Sequence, residues 1–235
     1  MTSYRELTES FLALRLHDKP VIAHASLSAF GEIKGGADTL LGALLESVDS
    51  LVMPTFTYKT MVTPETGPPR NGISYGNPDT NRMAIPFTPD TPADPLMGIL
   101  PETLRKHPQA RRTYHPILSF AGINADFALD AQTLYNPFAP VGAMEEAGGW
   151  LLLLGVDHTV NTSIHYIEKL VGRRQFTRWA LTPERIVECP GFPGCSLGFE
   201  AIARELTRAT RTTRMGKTFV HTVPLWGLFE ITEKM

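Results

Sequence analysis

Cysteine is nearly absent: the 235 residues contain two, Cys189 and Cys195. Two thiols make no disulfide framework, so the sequence reads as a reduced, cytoplasmic protein. Long hydrophobic runs are missing as well. No stretch approaches the roughly 20 apolar residues that a membrane-spanning helix needs. Residues 1–6 lack the basic segment and apolar core of a signal peptide. Neither sign of charge dominates. With 22 Lys and Arg against 24 Asp and Glu, the formal net charge is −2, which leaves no electrostatic footprint for nucleic acid or an anionic membrane. Repeats, low-complexity tracts and linker-like segments are absent too, so residues 1–235 are expected to form one domain.

What is present alternates between apolar runs and helical patterns. Residues 4–16 form an amphipathic segment. Pro20-Val21-Ile22-Ala23-His24 reads as a buried strand, residues 26–31 as a loop, and Lys34-Gly35-Gly36 leads into a helix over 37–47 with Leu40, Leu41, Leu44 and Leu45 on its apolar face. Residues 50–55 form the next strand, stopped at Pro54. This strand-helix-strand unit argues for parallel pairing. Residues 56–95 are rich in Pro, Gly, Asn and Thr, yet carry Phe56, Tyr58, Tyr75 and Phe87. Such a loop is read as ordered and as the wall of a ligand site. A helix over 97–106, a strand over 117–123, a short helix over 140–147 and a strand over 150–156 follow. Further on come a basic turn over 172–178, a strand over 184–189, a tight loop over 189–195 and a helix over 197–209. A strand over 217–223 and a final helix or strand over 224–232 complete the chain. The fold class is mixed α/β, with a largely parallel central sheet flanked by helices.

The chemistry centres on Asn161-Thr162-Ser163-Ile164-His165-Tyr166-Ile167-Glu168, a helix start just after the apolar strand Trp150-Leu151-Leu152-Leu153-Leu154. Side chains three and four apart share a helix face, so Thr162, His165 and Glu168 form one stripe. A carboxylate one turn from a histidine can hold one ring nitrogen and raise the basicity of the other. The alternative is a solvated surface pair. Gly35-Gly36 before a helix exposes N–H groups suited to phosphate, with Lys34 adding charge. Cys195 is expected to be a buried, inert thiol, and Arg173-Arg174 a solvated turn. His158, His165 and Glu168 lack metal-ligand spacing, so no metal is expected.

Several motifs recur in one order: His24-Ala25-Ser26-Leu27-Ser28, Gly35-Gly36-Ala37, Met53-Pro54-Thr55, Asp94-Pro95, Met97-Gly98, Glu102, Arg105, His115-Pro116, Ser119-Phe120-Ala121, Leu153-Leu154-Gly155-Val156 and the 161–168 helix. In that order and spacing the chain resembles the antibiotic N-acetyltransferase family, best known for aminoglycoside 3-N-acetyltransferases and distinct from the GNAT type. The resemblance implies an α/β fold, acetyl-CoA as co-substrate, and a small-molecule amine as acceptor. An aminoglycoside, and hence antibiotic resistance, is the first expectation. It implies His165, Glu168 and Thr162 as catalytic residues. For coenzyme A it implies Ser26, Leu27, Ser28, Lys34, Gly35, Gly36, Thr55, His115 and Ser119, with Arg111 or Arg112 as further phosphate partners. The chain departs from the family pattern at Ala25 and Thr113, where Ser is common. The segment between Asp126 and Pro140 is shortened, with Asp130-Ala131-Gln132 in place of an Asp-His pair.

The residues suit the implied reaction. An amine attacks a thioester as its free base, and His165 can take the proton as the bond forms. Backbone N–H groups of the Ser26-Leu27-Ser28 loop, or the Thr162 hydroxyl, can hold the oxyanion. Transfer is then direct, without a covalent enzyme intermediate. A polycationic acceptor calls for carboxylates, the candidates being Asp79, Asp90, Asp94, Glu145, Glu146 and Asp157. Two other classes fit less: a His/carboxylate amide hydrolase, and a non-catalytic protein that binds coenzyme A or an antibiotic. A homodimer is one option for the assembly.

Overall fold

The computed structural model describes residues 1–234, apart from the side chains of Pro78 and Thr80. In chain order it forms α1 (Tyr4–Ala13), β1 (Pro20–Ala25), α2 (Gly36–Leu45), β2 (Ser50–Pro54), β3 (Met61–Val62) and α3 (Ile99–Lys106). Next come β4 (Arg111–Arg112), β5 (Phe120–Ile123), α4 (Asp126–Leu129), α5 (Ala139–Glu146), β6 (Trp150–Leu154) and α6 (Ser163–Leu170). The remainder is β7 (Phe176–Leu181), β8 (Ile186–Phe192), α7 (Ala203–Leu206), β9 (Arg211–Met215), β10 (Thr218–Pro224) and α8 (Leu225–Thr232).

Period-two burial in the central strands decides the layers. Val21, Ala23, Leu51, Met53, Leu152 and Leu154 face α1, α2 and α3. Ile22, Val52, Leu151, Leu153 and Val223 face α5, α6 and α8. Both faces are covered, which is why these strands read as continuous apolar runs. The seven-stranded sheet has the order β4-β5-β2-β1-β6-β10-β9. Parallel pairing is confined to β2-β1-β6, and every other neighbour is antiparallel. The expected predominance of parallel strands therefore holds only at the centre. Short connections at both edges, the β9–β10 hairpin and the turn from β4 to β5, are too short for a parallel crossover.

A second, antiparallel sheet, β3-β7-β8, was not legible in the sequence. The segment expected as a basic turn contributes Phe176, Thr177 and Arg178 to β7, while the strand expected over 184–189 overlaps β8, which runs on into the expected tight loop over 189–195. The helix expected over 197–209 is a 3-10 turn, Phe199–Ile202, followed by the single turn of α7.

The long 56–95 loop is ordered by hydrogen bonds at both ends. Asp94 N–H donates to Phe56 O (2.7 Å), and Phe87 N–H to Leu181 O (2.8 Å). Arg112 braces the loop from below. Its guanidinium donates to Thr55 O (2.8 Å), Pro89 O (3.0 Å), Thr91 O and Ser119 Oγ (3.1 Å), and lies over the Phe87 ring. Burial, then the nearby Arg105, lowers its pKa to about 10, so it stays charged at neutral pH.

Two predictions follow from this framework. Arg112→Met should destabilise the chain by about 3 kcal/mol, because several buried acceptors lose their donor at once; urea unfolding measures it. The second concerns acid. Burial, then the charges of His158 and His165, lowers the His24 pKa from 6.5 to about 3, and burial lowers that of His115 to about 4. The unfolded chain therefore binds protons below about 6.5 that the folded chain refuses. Stability should be fully present above that pH and fall as pH drops toward the folded values, by about 1.4 kcal/mol per pH unit for each histidine. Unfolding measured from pH 7 to pH 5 should show this slope, and His24→Leu should make it shallower.

Candidate functional site

A cleft of about 720 Å³ opens at the carboxyl edge of the three parallel strands, the place where open α/β sheets collect ligands. Its walls include His24 at the end of β1, the Ser26, Leu27 and Ser28 loop, Pro54, the turn before α3, and Thr162. Ser26 N–H donates to Leu154 O at 2.9 Å, carrying the β1–β6 ladder past the last strand residue. Gly98, at φ +85°, lets the start of α3 close on the strand end: a Cβ there would stand 3.1 Å from Ala25 O. Two enclosed polar atoms of residues lining this cleft, His24 Nε2 and Thr162 Oγ1, have no hydrogen-bond partner among the described residues. Uncommitted buried polar groups are rare, and they mark where a ligand group fits.

Beside this cleft stands the His165–Glu168 pair. His165 is 8% exposed and Glu168 5%, which rules out the solvated surface pair. His165 Nδ1–H donates to Glu168 Oε2 at 2.9 Å. That bond leaves Nε2 with its lone pair, the form a general base needs. The ring is held between Phe138 and Phe199, at centroid distances of 5.7 and 4.9 Å. Arg173, on the turn expected to be solvated and with its side chain 67% exposed, bonds the other Glu168 oxygen with its guanidinium and donates its N–H to Glu168 O at 2.8 Å. Burial pushes the Glu168 carboxyl up, but the hydrogen bond and charge of His165 and then Arg173 more than offset it, holding it below its ordinary value. Glu168 and Phe199 also line a second cleft of about 540 Å³. His165 lines neither cleft itself, but its helix neighbours do: Thr162 lines the first and Glu168 the second.

The other expected ligand residues are dispersed. Thr55 and Ser119 are fully buried and bond one another and Arg112. They belong to the framework and line neither the 720 Å³ cleft nor the 540 Å³ one. Lys34, Gly35 and Gly36 form the entry to α2, outside the lining of the 720 Å³ cleft. Gly35 is required by its φ of +84° and by the Thr39 side chain beneath it, and Asp38 already occupies the first helical turn. His115, with Arg111 and Arg112, lines a separate cleft of about 660 Å³. Its Nδ1 accepts from Ile117 N–H (3.2 Å) and Leu118 N–H (3.0 Å), which puts the ring proton on Nε2. Cys195 is exposed, contrary to expectation, whereas Cys189 is buried and its thiol is pushed up to about 12.

His158 Nδ1 accepts from Asn161 Nδ2 at 3.2 Å, and among the described residues no group of three or more His, Cys, Asp or Glu is arranged to hold a metal. Of the acidic candidates, Asp94 and Asp157 cap local turns, and Asp79 pairs with Arg82 at 2.8 Å. Two residues at the site escaped the sequence reading. His24 was visible only as the first residue of a motif, although its place at a strand end was the available signal. Lys217 comes from the β9–β10 turn, and its side chain packs over Gly31 on the rim of the first cleft; nothing local in the sequence points to it.

The family model for aminoglycoside 3-N-acetyltransferase matches residues 22–235. The chain is 32% identical over 178 residues to aminoglycoside N(3)-acetyltransferase VII of Streptomyces paromomycinus, covering 70% of this chain and 59% of that one. It is 28% identical over 173 residues to the SPbeta prophage-derived aminoglycoside N(3')-acetyltransferase-like protein YokD of Bacillus subtilis, covering 70% and 64%. In these alignments the chain spans about three fifths of the length of the curated relatives it matches. The solved YokD structure has a TM-score of 0.84 at 23% identity, covering 99% of this chain and 92% of that one. A structure of AAC-IIIb with CoASH has a TM-score of 0.79 at 22% identity, covering 99% and 95%. These structural likenesses establish a shared fold. Matched by the family model along nearly its whole length, the chain belongs to the aminoglycoside 3-N-acetyltransferase family.

Proposed function

We propose that the chain is an acetyl-CoA-dependent N-acetyltransferase acting on an amine, with an aminoglycoside as the first acceptor to test. The observation that carries this reading is the buried His165–Glu168 pair, with Nδ1 held by the carboxylate and Nε2 free, on a helix whose Thr162 lines one cleft and whose Glu168 lines another. Family membership and the CoASH complex of AAC-IIIb support the choice of donor. Residues 1–235 act as one catalytic unit in this reading, and the chain works in the cytoplasm.

The donor thioester enters the 720 Å³ cleft beside the Ser26, Leu27 and Ser28 loop, and Thr162 Oγ1 supplies a hydrogen bond to the reacting group. The phosphates run toward the rim, where Lys217 lies over Gly31 and Lys34 is exposed. The amine approaches from the Glu168 side. His165 Nε2 takes its proton as the C–N bond forms, and Glu168 stabilises the imidazolium. Arg173 keeps Glu168 ionised and oriented. Without it the carboxylate would be buried with one partner fewer, and its hold on the imidazole would weaken.

A thiol-release assay with acetyl-CoA across a panel of aminoglycosides and simpler amines tests the reading. His165→Ala should lower kcat by roughly a hundredfold or more with coenzyme A affinity nearly intact, since general-base catalysis contributes on that scale. Retention of close to full kcat in that variant would remove His165 from the mechanism. Glu168→Gln and Arg173→Met should each lower kcat less than His165→Ala. Replacing Lys34 and Lys217 together with Ala should raise KM for acetyl-CoA several-fold, more at low salt than at high, because exposed charge interactions are screened; an unchanged KM would move the phosphates elsewhere.

A further inference from the structure

We propose that His24 is a catalytic residue: an N–H of its imidazole donates a hydrogen bond to the carbonyl oxygen of the donor thioester and holds the negative charge that develops there. The proposal rests on the acyltransferase reading above and assigns a role that neither the family match nor the His165 chemistry supplies.

His24 is the fifth residue of β1, paired with Leu153 of β6 in the parallel register that ends at the cleft. Its side chain is 4% exposed and lines the donor cleft. Nε2 is fully enclosed and has no partner among the described residues. A fixed donor in a water-poor site is what stabilises an oxyanion, because it needs no reorganisation when the charge appears. The ring lies within electrostatic reach of both His165 and His158. His158 is already engaged with Asn161, which leaves His24 as the uncommitted imidazole facing the donor. With its pKa at about 3, His24 stays neutral through the working pH range. It is therefore a hydrogen-bond donor that does not compete with His165 for the amine proton. Neutral histidines serve as electrophiles in this way when their environment forbids the cation.

The step balances without another reactant. The amine nitrogen attacks the thioester carbon, and the C=O π pair moves onto oxygen, against the His24 N–H. His165 Nε2 takes the amine proton. The oxygen pair then returns, the C–S bond breaks with its electrons on sulfur, and the thiolate takes the proton from His165.

The test uses the full chain with [carbonyl-¹³C]acetyl-CoA and three proteins: wild type, His24→Leu and His24→Gln. In wild type the bound carbonyl resonance should move downfield of free acetyl-CoA. The shift should vanish in His24→Leu and be partly kept in His24→Gln, whose amide N–H is a replacement donor. In thiol release, kcat should fall about a hundredfold or more in His24→Leu and recover partly in His24→Gln. Affinity for coenzyme A, which lacks the thioester carbonyl, should not change, and the midpoint of the kcat–pH profile should stay where it is in wild type. A merely structural role would move none of the carbonyl shift. A folded His24→Leu with wild-type kcat and a wild-type carbonyl shift overturns the proposal. If the leucine variant does not fold, a folded glutamine variant decides: a retained downfield shift supports the role, and loss of the shift with full kcat overturns it. Absence of both thiol release and a bound shift in wild type overturns the acyltransferase reading itself, whereas wild-type turnover with an insensitive His24 overturns only this proposal.

Discussion

The parallel pairing of β1 with β6 is the contact on which the rest of the site depends. It sets Val21 against Trp150 and carries the register without a break to Ala25 against Leu154. The Ser26 N–H then adds one more rung. Because the two strands end together, the loops that leave them diverge from one edge. One carries Ser26, Leu27 and Ser28, and the other leads to Thr162 and α6. A register slip by one residue would turn His24 to the opposite face of the sheet, away from α6, and would exchange the two apolar cores. The leucines of β6 therefore position the site as surely as its polar residues do.

On that frame the electrostatics are arranged by burial more than by net charge. Glu168 is buried, yet stays ionised because an imidazole and a guanidinium each take one of its oxygens. His24 is buried with no such partner and is neutral. Burial thus leaves two titratable groups with opposite protonation behaviour. The difference lies in whether a counter-charge is within hydrogen-bond reach. Arg112 shows a third solution: a buried cation held by carbonyl oxygens and an aromatic face without a carboxylate bonded to it.

The central strands and the His165–Glu168 spacing were legible in the sequence, because apolar runs and helical periodicity are local signals. The roles of Arg173 and Arg178 were not. A basic turn reads as solvated, and Arg173 is exposed, yet its guanidinium also reaches Glu168, whereas Arg178 is buried between the Phe176 and Phe192 rings with its guanidinium on Asn71 O. That buried cation also disguised β7, whose pattern it interrupts. Thr55 and Ser119 show a different limit of local signals. They sit in recognisable motifs, yet serve the framework through Arg112. A motif records that residues matter without recording whether they touch ligand or hold backbone. Only the position of each hydroxyl relative to the cleft separates the two. β4 and β5 on one side and β10 and β9 on the other add antiparallel pairs to a sheet expected to be mixed but largely parallel, since strand direction is decided by connection length far from the strands' own residues.

The hydrogen bond between Asp94 N–H and Phe56 O has a consequence for how this molecule can diversify. It closes the 56–95 segment at its base, so the chain leaves the sheet and returns to it at one point. Arg112 fastens that base to β2 and β5. The stretch from Pro64 to Gly76, by contrast, runs largely along the solvent side with many exposed residues. Lengthening a closed loop adds little entropic cost. Insertions or deletions near its outer part thus change the shape of the surface without shifting Pro95 and Gly98, which set the mouth of the cleft. The fold separates a region free to vary from a region that must not move, and one backbone hydrogen bond marks the border between them.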